Sequence, residues 1–176
     1  MTLRRRVSGL WKRVVAGIVA CRLAVLIVLV TPAGIAHADE NWTAAKAAFE
    51  VCLARFPDVG AIHETLAADG WRYEGNQDGL RIHTINGYRA VAATQGSRQT
   101  ASRCAVSSSR LTAAAATAFA TEIATRLEGV KQIDLTARGV PAAWEGQLRG
   151  KTLRLGVVPN ANFGLMRGAV VMLGEF

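Results

Sequence analysis

The chain has 176 residues, 51% hydrophobic and 19% charged, with a formal net charge of +8. Six of its 21 basic residues fall before Leu23, so residues 39–176 carry 15 basic against 13 acidic groups. That near balance, without a basic run interleaved with aromatics, excludes a protein that tracks a phosphate backbone.

Arg4, Arg5, Arg6, Lys12, Arg13 and Arg22 precede Leu23 to Val30, an unbroken apolar run. Pro32 and Gly34 follow, then Ala36-His37-Ala38. Basic start, short apolar run, helix breaker and small residues at −3 and −1 predict a secretory signal peptide over 1–38, cleaved near Ala38. The remaining domain, 39–176, is then periplasmic or secreted and touches the membrane only through the transient leader. Retention as an anchor would bury Arg22 near mid-bilayer, at a cost of about 2.5–3.5 kcal/mol. Lipid attachment at Cys21 would leave the most apolar run on the mature protein.

Asn41 is expected to cap a helix through "WTAAKAAFEVCLARF", which stops before Pro57. A shorter helix fits "AIHETLAAD", with Gly70 as terminator. The period then changes to two. "WRYE", "LRIHT", "YRAVAAT" and "SRCAVS" read as strands, with a hairpin signal at Asn86-Gly87. A long helix is expected through "RLTAAAATAFATEIATRLEG", capped by Ser109, ended by Gly129 and carrying a Glu122–Arg126 pair. "WEGQL", "TLRLGVV" and "AVVML" complete the strands, the last apolar on both faces and so central. Pro, Asn and Gly cluster in Val158 to Gly168, the expected loose segment. No internal repeat stands out. The order predicts one α+β domain, with an antiparallel sheet of six to seven strands. Two N-terminal helices and one long central helix pack on one face.

With Cys21 in the leader, Cys52 and Cys104 remain. Phe49, Cys52, Leu53 and Phe56 share one helical face, and Cys104 alternates with Val106, so both sulfurs point toward the core. An even count in an exported protein favours a Cys52–Cys104 disulfide. It also disfavours a metal site joining these thiols to His63 and His83.

Most chemical motifs fail. "GQLRGKT" lacks the first glycine of a phosphate loop and opens a strand, which makes it a hairpin turn. His63-Glu64 opens a zinc-protease pattern, but Ala67 stands where the second histidine belongs. Ser107, Ser108 and Ser109 lie between a strand and a helix, where a nucleophile can sit. His63 or His83 is the candidate base and Asp58, Asp69 or Asp78 the orienting acid, but no G-x-S-x-G elbow surrounds the serines. Asn41-Trp42-Thr43 is a glycosylation sequon. Arg72, Arg81, His83 and Arg103 each sit opposite the residues taken as the apolar face of their strands. If those strands are neighbours, one sheet face carries a basic stripe fit for an anionic glycan, lipid headgroup or acidic protein.

"AAFEVCLARFPDVGAIHETLAADGW", the later "SRCAVS" and the alanine-rich helix resemble small exported proteins of proteobacteria. These carry an early helical Cys, a Phe-Pro-Asp turn, Gly-Trp before the first strand and a second Cys in a strand. The resemblance implies compartment and architecture, and no catalytic residues. The sequence therefore reads as a non-enzymatic binding or envelope-accessory domain without cofactor or metal, its partner an envelope protein or anionic envelope component. The alternatives are a small hydrolase using the 107–109 serines, and an inhibitor or immunity-like protein.

Overall fold

In the computed structural model the described residues are 33–77, 79–97, 101–163 and 165–175. The leader over 1–38 lies outside them except for the helical backbone from Ala33. Helices α1 (Ala33–Arg55) and α2 (Val59–Ala68) precede β1 (Arg72–Gln77), β2 (Leu80–Ile85), β3 (Ala90–Gly96) and β4 (Ala101–Ser108). Then follow α3 (Ala113–Ala124), β5 (Glu128–Leu135), a 3-10 turn, β6 (Val140–Leu148), β7 (Lys151–Phe163) and β8 (Met166–Gly174).

The fold is α+β, with one antiparallel sheet of eight strands in the order β1-β2-β3-β4-β8-β7-β6-β5. That order is a palindrome. Each half is a four-strand meander, the first preceded by two helices and the second by one, and the halves meet where β4 pairs with β8. The repeat is one of architecture, invisible to residue identity. As expected, β8 is central and apolar on both faces, and the hairpins turn at Asn86-Gly87 and Arg149-Gly150. Both residues of each pair have positive φ.

Residues of all three helices join one core with Ala92, Cys104, Val106, Leu155 and Val171, which defines the helix-covered face of the sheet. Trp42 and Phe49 of α1 meet the Phe119 ring edge-on, at centroid distances of 5.2 and 5.6 Å. The far face is also partly closed. Ile82, Val91, Ala93, Ala105 and Val170 form a second cluster with Ala161 and Met166 from the tip of the β7–β8 hairpin.

Several expectations need correction. The unforeseen eighth strand is β5: register shifts between Glu128 and Lys131 and between Ile133 and Leu135 break its two-residue alternation. Gly129, taken as a helix end, lies in β5, and the central helix has only 12 residues. Thr112 caps it, its hydroxyl accepting from Ala115 N at 3.2 Å. Ser109 instead donates its backbone N–H to Arg89 O, prolonging the β3–β4 pairing. Arg126 feels the charge of Glu122 as expected, but its hydrogen bonds go to Glu50 of α1, at 2.5 and 2.9 Å. Asn41 is interior to α1, buried, and accepts from Asn86 Nδ2 at 3.0 Å, so the sequon asparagine is a packing contact. The described residues of Val158–Gly168 belong to β7 up to Phe163 and to β8 from Met166, rather than to loose chain. A register shift between Val158 and Ala161 absorbs Pro159, which has no N–H for the ladder.

Candidate functional site

Cys52 and Cys104 are joined in a disulfide, Cα to Cα 6.2 Å, and both are fully buried. The bridge pins α1 to the centre of the sheet. It also removes both thiolates from any metal site with the histidines. Arg149, on the β6–β7 turn, donates to Phe56 O at 2.9 Å and Ala54 O at 2.5 Å, anchoring the C-terminal end of α1.

The four residues of the expected basic stripe do not share a face. Arg72 pairs with Thr84 and Arg103 with Gln95, placing both on the far face. Arg81 and His83 pair with Thr94 and Ala92, on the helix-covered face. The physical reason is that both faces of β2 are buried, so its alternation does not say which face meets the helices. Arg72 is already engaged: its Nε donates to Glu74 Oε1 at 2.7 Å and its Nη2 to Tyr88 Oη at 2.9 Å. The Thr84 hydroxyl, with help from Arg72 and Tyr88, holds the Glu74 carboxyl below its ordinary range. Arg103 Nε donates to Glu175 O at 3.2 Å.

On the other face, His63 Nδ1 and His83 Nε2 are 2.8 Å apart, joined by a hydrogen bond between α2 and β2. Tyr73 packs against both rings. His83 is 1% exposed. Burial, and secondly the neighbouring His63, push its imidazole down to about 4, so it is neutral at pH 7. Among the described residues its Nδ1 has no hydrogen-bond partner, and neither has the buried Nη1 of Arg81. The His63–His83 hydrogen bond has no local signature in the sequence, because it joins α2 to β2 across 20 residues.

The serines fall at the end of β4. Ser107 and Ser108 are buried and Ser109 is exposed. Ser107 Oγ donates to Ala169 O at 2.9 Å and Arg167 O at 3.2 Å, tying β4 to β8. Its proton is held by main-chain carbonyls, and His63 and His83 lie on the opposite face of the sheet, so neither serves as its base. Asp58, one of the candidate orienting acids, accepts from Ala61 N and caps α2. Asp78 lies outside the described residues.

What the serines do line is a pocket of about 300 Å³ between the β2–β3 turn and the β7–β8 hairpin, with Tyr88, Val91 and Leu165 as its apolar parts. Arg89 and Arg167 sit at its edge, both exposed and without an acidic partner among the described residues. No described acidic residue lines it. Sequence reading missed this pair because only the β4–β8 pairing and the turn before β3 bring the two arginines together. A larger depression, about 410 Å³, lies over β5–β7. There Glu145 already bonds Lys131 at 2.8 Å and Arg154 at 3.0 Å, which holds its carboxyl below the ordinary range.

Comparison of the chain with protein-family models, with curated proteins and with solved structures finds no match.

Proposed function

We propose that the protein is an exported, disulfide-stabilised, non-enzymatic binding domain whose ligand is a small amphiphilic anion. The serine pocket carries the binding part of this reading. Two exposed guanidinium groups, Arg89 and Arg167, flank hydroxyls and an apolar floor, with no acidic partner among the described residues. Its volume, about 300 Å³, is at the lower end of small-molecule sites. An anionic head meets Arg89, Arg167 and Ser109, while an apolar portion rests on Tyr88, Val91 and Leu165. The export part is supported by the Cys52–Cys104 bridge, a bond that persists in oxidising compartments, together with the leader pattern over 1–38.

Anilinonaphthalene sulfonate, an apolar ring system with one negative charge, is a suitable probe for the pocket. Binding to the folded domain is expected to weaken with salt and to fall about tenfold or more in the double variant R89A/R167A, at unchanged circular dichroism. Equal binding by wild type and double variant would remove the pocket from the reading. N-terminal sequencing of native material tests export separately, with Asp39 as the expected first residue.

A further inference from the structure

We infer that Arg81 and His83, neighbours on the helix-covered face of β2, form a second site for a small monovalent anion: a halide, or the carboxylate of a larger molecule. It is independent of the serine pocket. Arg81 and His83 are two residues apart on β2 and share the helix-covered face. At roughly 3.3 Å per residue, one acceptor group lying between their side chains is within reach of both. Each presents a buried nitrogen without a partner among the described residues, Arg81 Nη1 and His83 Nδ1. Buried polar atoms are paired in nearly all folded proteins, and an unpaired one on a cation is the most costly kind.

The chemistry of the missing partner follows from the donors. Arg81 Nη1 only donates. His83 Nε2 is occupied by His63 Nδ1, and when His63 supplies the hydrogen, His83 keeps its own proton on Nδ1. Both open positions are then N–H donors beside a fixed positive charge. The residues opposite them in the register are Asn76 and Thr94 for Arg81, and Tyr73 and Ala92 for His83, none of them acidic. Among the described acidic residues of α2 and β1, Glu64 and Asp69 are exposed, and Glu74 is taken by Thr84, Arg72 and Tyr88. A water would satisfy the donors and leave the charge unmatched, whereas a monovalent anion does both.

The test uses the disulfide-intact protein at constant ionic strength, replacing a bulky sulfonate salt stepwise by sodium chloride or sodium formate. Thermal unfolding of the wild type is expected to rise and saturate. The His83 Nδ1 nitrogen-15 resonance should move with the same midpoint. In R81M the midpoint is expected at least about tenfold higher. If circular dichroism shows R81M misfolded, R81Q makes the comparison. Saturation by chloride identifies a free halide, and saturation by formate alone identifies the carboxylate of a larger ligand. Parallel, unsaturable shifts in wild type and variant, or a His83 resonance that stays in place, would overturn the inference.

Discussion

Lowering the pH from 7 to 5 is expected to destabilise the domain through His83. The unfolded imidazole takes up a proton near its ordinary pKa of 6.5, while the folded one resists until about 4. The unfolded state therefore binds more protons across this window, and stability falls as pH falls. The contribution is intact above 6.5 and fully lost below about 4. Over the whole window it amounts to about 3–4 kcal/mol at most. Between pH 7 and 5 it is about 1–2 kcal/mol, or roughly 3–6 °C in Tm for a domain of this size. Glu74, Asp134 and Glu145, whose carboxyls are all held below their ordinary range, stay ionised through this interval. The groups facing His83 are His63 from α2, Tyr73 from β1 and Arg81 from its own strand. The assay is urea unfolding of wild type and H83Q at both pH values, in a sulfonate buffer that leaves the Arg81 site unfilled. H83Q is less stable throughout because it loses the ring, but its dependence on pH should be flatter. If the two slopes coincide between pH 7 and 5, the buried neutral imidazole is not the source of acid sensitivity.

The disulfide closes a separation of 52 residues, so the double variant C52A/C104A should lose about 4 kcal/mol in urea unfolding. The untreated protein should weigh two hydrogens less than its reduced form. A double variant within about 1 kcal/mol of wild type would contradict the loop-entropy account. The two arginine ties of α1, through Arg149 and Arg126, should differ in weight. R149A strips two main-chain carbonyls of a charged donor and should cost about 1–3 kcal/mol. E50Q removes an ion pair whose side chains are about half exposed, at 46% and 49%, and should cost under about 1 kcal/mol, with less effect in high salt. Equal costs for R149A and E50Q would show that the end of α1 is not anchored as described.

Local chemistry was sufficient for much of the architecture. Helical spacing around Phe49 and Cys52 and alternation around Cys104 aimed both sulfurs inward, and the bridge forms there. Positive-φ turn pairs set the hairpins at Asn86-Gly87 and Arg149-Gly150, and the doubly apolar "AVVML" required a central strand. These signals are readable because neighbours in sequence share one helix face or one strand face. Long-range pairing decided the rest. Bulges hid β5 from a period-two reading, because each shifts the alternation by one residue. The second apolar cluster buried the face of β2 that was expected to be the only inward one. It thereby turned Arg81 and His83 toward the helices and left Arg72 and Arg103 on the far face. The His63–His83 contact and the Arg89–Arg167 pocket each join residues from separate elements. Side-chain periodicity fixes which residues of a strand point together, whereas only the packing of layers determines what they point at.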